Sequence, residues 1–235
     1  MKENSKIIVC ACIISLAFIV SASLICLGLF NVTAPDRTVS VRGLSEREYD
    51  ADFAVWPIKF TIAGNDLQFV QADISSKIDI VTSFLKDFDF TDAEITVKEP
   101  SVQDALANYY SQNDVQYRYL ADVTIFVRSE NIQKIQDALS ESLSLIGQGI
   151  VLKNEYDSEV QFLFTKLNDI KPEMIAEATE DARRAAEKFA IDSGSSVGKI
   201  VNATQGLFSI EDASPGLSEK KTVRVVTTVE YLLND

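Results

Sequence analysis

From Thr38 onward, the spacing of apolar residues switches repeatedly between two and about 3.6, the periods of half-buried strands and amphipathic helices. Alternation predicts strands over residues 38–43, 49–63, 94–98, 116–128, 149–153, 156–167, 199–209 and 222–232. In YRYLADVTIFV, for example, Tyr117, Tyr119, Ala121, Val123, Ile125 and Val127 fall on one face. Helical spacing occupies residues 66–87, 131–146 and 171–193. Trp56-Pro57 interrupts one strand pattern, and because proline supplies no ladder donor a bulge or an edge is expected there.

The order of these elements gives an α+β fold. YDADFAVWPIKF from Tyr49 and YDSEVQFLFTKL from Tyr156 begin alike, and each precedes a helix and then two strands. The reading is a duplication: a two-lobed body of two βαββ-type units, 38–130 and 149–233, joined by the helix 131–146. In the helix 171–193, Ile175, Ala178, Ala182, Ala185, Ala186, Phe189 and Ala190 form a narrow, alanine-rich stripe expected to face the core. Pro172 suits the first turn, Gly194 a left-handed C-terminal cap, and Glu180–Arg184 an i,i+4 ion pair. With Phe189 on that stripe, its truncation to alanine would cost about 3–5 kcal/mol.

Ahead of this body lies KIIVCACIISLAFIVSASLICLGLF, residues 6–30, with no charge after Lys6. As a helix at ~1.5 Å per residue it is long enough to cross a bilayer, and it is longer than the core of a signal peptide. Val32-Thr33-Ala34 resembles a cleavage site, but Pro35 follows it directly, so an uncleaved signal-anchor is expected. Lys2 and Lys6 place the N-terminus in the cytoplasm. The expected division is a cytoplasmic tip and anchor, 1–34, and an exported domain, 35–235, in a single-pass inner-membrane protein whose C-terminal domain is periplasmic or otherwise extracytoplasmic.

The three cysteines, Cys10, Cys12 and Cys26, all fall in the apolar run, so the exported part has no disulfide framework. A bacterial envelope follows, and the sequons at Asn31 and Asn202 read as chance matches. The net charge of −13 arises almost wholly beyond residue 35, since Lys2, Glu3 and Lys6 are the only charges before it. Such a surface repels nucleic acid and anionic lipid.

Candidate chemistry is sparse. GSSVG, 194–198, fits the hydrolase pattern G-x-S-x-G, but Ser196 sits on a helix-to-strand turn and the chain has no histidine to serve as its base. That lack also removes the usual zinc and copper ligands from the exported part. Asp87, Asp89, Asp92 and Glu94 in DFDFTDAE lack the turn glycine and later acidic ligand of a calcium loop, and read as a solvated turn. Tyr109, Tyr110, Tyr117 and Tyr119 read as strand packing at a hairpin tip, with a contact surface as the alternative. Arg183 and Arg184 read as salt-bridged to Glu180 and Glu187 rather than as an anion site. No catalytic, cofactor-binding or metal-binding residue is expected.

TVSVRGLSE, YRYLADVTIFVRSENIQKIQDALSESLSLIGQGI, AEATEDARRAAEKFAIDSGSSVGKIVNATQG and VRVVTTVEYLL together resemble the SIMPL domain family across everything after Pro35. The most specific part is the late helix and strand, with Ala178, Ala182, Arg183, Ala186, Glu187, Ala190, Gly194, Val197, Gly198, Lys199 and Ile200 in the expected order. The resemblance implies an envelope protein of α/β, self-assembling type, some members being linked to oxidative-stress defence, with no catalytic residues to carry over. Two functions compete: a membrane-anchored, homo-oligomeric assembly or interaction module without enzymatic activity, and a carboxylate-dependent envelope hydrolase.

Overall fold

The computed structural model describes residues 13–26, 37–107 and 116–234. Residues 13–26 form a helix, α1, with every residue exposed. Among the described residues no helix is long and apolar enough to cross a membrane. The rest of the expected span, 7–12 and 27–30, lies outside the described residues, as do Cys10, Cys12 and the Val32–Ala34 sequence.

From Thr38 the chain is α+β. Among the described residues the elements follow in the order β1 (Thr38–Asp50), β2 (Phe53–Gly64), α2 (Leu67–Asp87), β3 (Ile95–Val97), β4 (Ser101–Asp104), β5 (Tyr119–Ser129), α3 (Ile132–Ser140), α4 (Ser144–Gly147), β6 (Gln161–Leu163), α5 (Leu167–Asp192), β7 (Ser196–Gln205), β8 (Ser209–Asp212) and β9 (Lys220–Asn234). One sheet has the order β3-β5-β2-β6, with β4 also on β5; the other has the order β1-β9-β7, with β8 also on β9. The chain divides into two compact units whose segments interleave. One takes the chain through Gly43, Glu180–Thr204 and the end of β9 from Thr228; the other is Leu44–Thr179 with Gln205–Thr227. These limits do not coincide with 38–130 and 149–233.

The larger unit is built on β2 and β5, paired antiparallel from Ala54↔Ser129 to Gly64↔Tyr119. Ala54, Trp56, Ile58, Phe60 and Ile62 alternate inward on β2, as do Ala121, Val123, Ile125 and Val127 on β5. Helix α2 covers that face with Val70, Ile74, Val81, Phe84 and Leu85. Asp66 caps it by accepting from the Phe69 amide at 2.9 Å. Gly64 is required at this corner, since a Cβ there would lie 2.7 Å from Val70 Cγ2. A second core in the same unit gathers Met174, Ala178, Val223 and Val225, bordered by the stacked rings of Tyr49 and Phe164 at 5.1 Å.

Pro57 makes no bulge: Trp56↔Val127, Pro57↔Phe126 and Ile58↔Ile125 run without a slip. The Lys59 carbonyl accepts from Lys153 on the side of β2 away from β5. Pro57, two residues earlier, points the same way, where β6 has ended at Val55. Its missing amide therefore costs no bond to β5, and the strand that carries it is an interior one, between β5 and β6, rather than an edge.

In the smaller unit Val41, Ala182, Ala186, Val229 and Tyr231 form the core. Helix α5 ends in a Schellman motif: Gly194 at φ +69, Ser195 N donating to Ala190 O at 2.8 Å and Gly194 N to Ile191 O at 3.1 Å. This is the cap expected from Gly194.

Other expectations need correction. The strand 49–63 is two strands broken at Ala51 and Asp52, where the Asp52 carboxylate accepts from the amides of Thr165 and Lys166. Residues 149–153 give a single bridge, Leu152↔Phe60. Residues 156–167 contain a 3-10 turn at Tyr156–Ser158 and only the short β6. Tyr49-Asp50 thus ends a strand while Tyr156-Asp157 opens a turn, so the pair marks no equivalent positions. The helix 131–146 breaks into α3 and α4. Helix α5 starts at Leu167, leaving Pro172 inside it rather than in its first turn.

Phe189 is 62% exposed, and the buried row of α5 is Met174, Ala178, Ala182, Ala186 and Ala190. The spacing is a strict i+4 ridge, the row that a helix presents to a packed neighbour. Phe189→Ala is accordingly expected to change stability by no more than about 0.5 kcal/mol; a fall in melting temperature of about 5 °C or more by circular dichroism would return Phe189 to the core.

Candidate functional site

Ser196 opens β7, exposed, with its hydroxyl 3.5 Å from the Asn234 carbonyl. Arg183 pairs with Glu187 at 3.1 Å, as expected. Arg184 pairs with Asp181 at 2.8 Å rather than with Glu180. Beneath them Tyr231 is 2% exposed, and burial pushes its hydroxyl titration up against the pull of Arg183. Of the four tyrosines, Tyr109 and Tyr110 lie outside the described residues. Tyr117 is exposed, and Tyr119 sits under the Arg118 guanidinium at 5.0 Å.

The acidic turn does not act as one group. Asp92 pairs with Lys86 at 3.0 Å, and Asp89 takes a left-handed φ of 63°. Glu94 turns inward: Oε1 accepts from Ser129 Oγ at 2.6 Å, and Oε2 from Thr91 N, Thr91 Oγ1 and Lys134 Nζ at 2.9, 3.0 and 2.9 Å. Lys134 also lies 4.3 Å from the centre of the Phe90 ring. Burial alone pushes the Glu94 carboxyl up, but these donors overcome it and hold it at about 2. Accepting from four donors, Glu94 ties the turn to β5 and α3. This hub was not foreseen, because Ser129 and Lys134 are distant in sequence. Among the described residues no group of three or more His, Cys, Asp or Glu is placed to hold a metal ion.

The feature with most capacity for interaction is β7, SVGKIVNATQ. It is an edge strand, bonded on one side to β9. Its ends are held closely: a Cβ at Gly198 would come 3.1 Å from Leu232 Cβ, and one at Gly206, just past the strand, 2.6 Å from Val226 O. Between them every residue from Lys199 to Gln205 is exposed, with Ile200 at 51% and Val201 at 53%. Other edges carry the usual protection against pairing with a second chain. β3 and β6 have three residues each, and β1 bears Arg42, Glu46, Arg47, Glu48 and Asp50. β7 is long, contains no carboxylate, and carries one charge, Lys199.

No curated protein matches the chain. Residues 39–231 match the sequence profile of SIMPL, described as a protein of unknown function (DUF541). That match takes in nearly every strand and helix from β1 to β9, and the chain belongs to the SIMPL family.

Proposed function

We propose that this protein is a membrane-anchored, non-enzymatic assembly module of the bacterial envelope, serving envelope or oxidative-stress defence, in which copies join through β7. The apolar run 7–30 serves as the anchor, with Lys2 and Lys6 on the cytoplasmic side and residues 35–235 beyond the membrane. The observation that carries the reading is the unprotected edge. In a chain of net charge −13, β7 is a ten-residue stretch without a carboxylate, where two copies can approach and add strand to strand. Anchoring in one plane raises the effective concentration of such copies.

The hydrolase alternative needs a carboxyl held protonated near neutrality. Glu94, held by the hydrogen bonds described above, Asp104 by Arg118, Asp122 by Lys153 and Asp157 by Lys59 are all shifted down instead. This supports the non-enzymatic reading.

Light scattering on the full chain in neutral detergent tests it. Oligomers are expected, and their fraction should rise as salt screens the repulsion between acidic copies. Since the Gly206 amide donates to Val226 O, the amide of Val201, five residues back, points away from β9. Val201→Pro removes that outward donor and leaves the β9 ladder intact, so it should shift the assembly toward monomer by about tenfold or more. Oligomers unchanged in Val201→Pro would exclude β7 as the contact.

A further inference from the structure

Helices α2 and α3 pack on the face of the larger unit's sheet that carries Ile58 and Ile125. The opposite face presents, by alternation, Val55 and Pro57 on β2 and Thr124, Phe126 and Arg128 on β5. Val55 stands opposite Arg128 and Pro57 opposite Phe126, with Thr96 of β3 on the far side of Phe126. The Lys98 amide donates to the Thr124 carbonyl at 2.9 Å, which continues that register and puts Lys98 on the same face.

Two cations of this face break the electrostatic pattern of the unit. Carboxylates outnumber cations in the chain, and every lysine and arginine of the larger unit except Lys98, Arg128 and Lys171 lies within 4.0 Å of one. Lys171 instead donates to Asn168 at 3.0 Å and lies 5.9 Å from the centre of the Phe208 ring. Arg128 is fixed without an anion: Nη1 donates to Thr96 Oγ1 at 3.1 Å, and the guanidinium lies 5.2 Å from the centre of the Phe126 ring. These contacts hold its planar fork against the sheet and leave its charge uncompensated. The carboxylates that reach this face are already taken, Asp122 by Lys153 and Asp157 by Lys59. Glu99 and Glu130, neighbours of the two cations along the chain, pair with neither among the described residues. Thr96, which positions the guanidinium, and Lys98 are separated by about 7 Å along the strand, the repeat of alternate side chains in an extended chain.

We propose that this face docks an extended acidic segment of a partner protein, with carboxylates at alternate positions on Arg128 and Lys98 and an apolar residue against Val55. A guanidinium receives a carboxylate through two parallel N–H bonds, and the lysine beside it receives the next one. A small acid would need an enclosure that buries most of its surface, whereas an open sheet face suits a chain segment. The Phe126 ring, covered by Arg128, is not free to stack on a sugar, which favours a protein over an acidic glycan. The inference does not depend on assembly through β7, whose residues up to Thr204 belong to the smaller unit. The two also respond oppositely to salt, which weakens a contact held by opposite charges and strengthens one between like-charged copies.

The test uses the full chain in neutral detergent and a labelled peptide of about eight residues in which glutamate and valine alternate. Fluorescence anisotropy at low salt should show saturable binding. Lys98→Gln/Arg128→Gln should weaken it at least about tenfold. Arg42→Gln/Lys188→Gln, removing the same charge from exposed positions of the smaller unit, should change it less than about twofold. All four side chains are exposed, so both variants are expected to fold, and unchanged fluorescence of the buried Trp56 checks that the larger unit has done so. Equal losses in the two double variants would reduce the effect to net charge and overturn the proposal, as would a lack of saturable binding by the unaltered chain. Tighter binding of polygalacturonate, with the same dependence on Lys98 and Arg128, would also overturn it, since the face would then be one for an acidic glycan.

Discussion

Truncating Phe60 to alanine is expected to destabilise the larger unit by about 3–5 kcal/mol, the largest effect of any single substitution considered. Phe60 is 1% exposed, stands opposite Val123 on β5 and is bridged on its other side by Leu152. It belongs to the same core as α2 and α3, so the cavity left behind would be lined from several elements at once and could not collapse by moving one. The single tryptophan, Trp56, lies in that core at 3% exposure, and its fluorescence therefore reports this unit and not the other. With a urea dependence of about 1–3 kcal/mol per molar, the midpoint should fall by roughly 1 M or more. A loss under about 1 kcal/mol would mean that the β2 face is not the principal core.

What the chain disclosed in advance was local. Helical spacing over residues 66–87 predicted α2, and Gly194 after the alanine stripe predicted the cap of α5, because a helix's periodicity and its cap both act within the helix itself. What stayed hidden was set by partners remote in sequence. Met174 and Phe189 are equally apolar, and the average 3.6 period admits either; the strict i+4 ridge is chosen by the surface against which α5 packs. Likewise the Tyr-Asp resemblance between Tyr49 and Tyr156 ignored Asp52, whose carboxylate fixes the break between β1 and β2 by binding amides of residues 165 and 166. The edge at β7 was half legible. Its composition, without a carboxylate, is plain from the sequence, but its place at the margin of a sheet is not.

The Glu94 hub should appear as an acid-sensitive contribution to stability, and the direction follows from its titration. Its carboxyl is held at about 2, below the ordinary 4.5, so the folded state binds its proton less readily than the unfolded chain does. The contribution is therefore complete above about pH 5 and is lost as pH falls through 4.5 toward 2. With the side chain 22% exposed, the stabilisation amounts to about 2–3 kcal/mol. Glu94→Gln isolates it. The amide resembles the protonated acid, and its nitrogen would meet donors on Ser129 or on Thr91 and Lys134 where an acceptor is required. Asp122, held low by Lys153, titrates equally in both proteins and cancels from the difference. Urea unfolding followed by Trp56 fluorescence should show the gap between the two proteins at about 2–3 kcal/mol near pH 6 and closing toward zero near pH 2. A gap that stays constant over that range would show that Glu94 contributes through packing alone, and that the Lys134 ammonium is satisfied by the Phe90 ring and solvent without it.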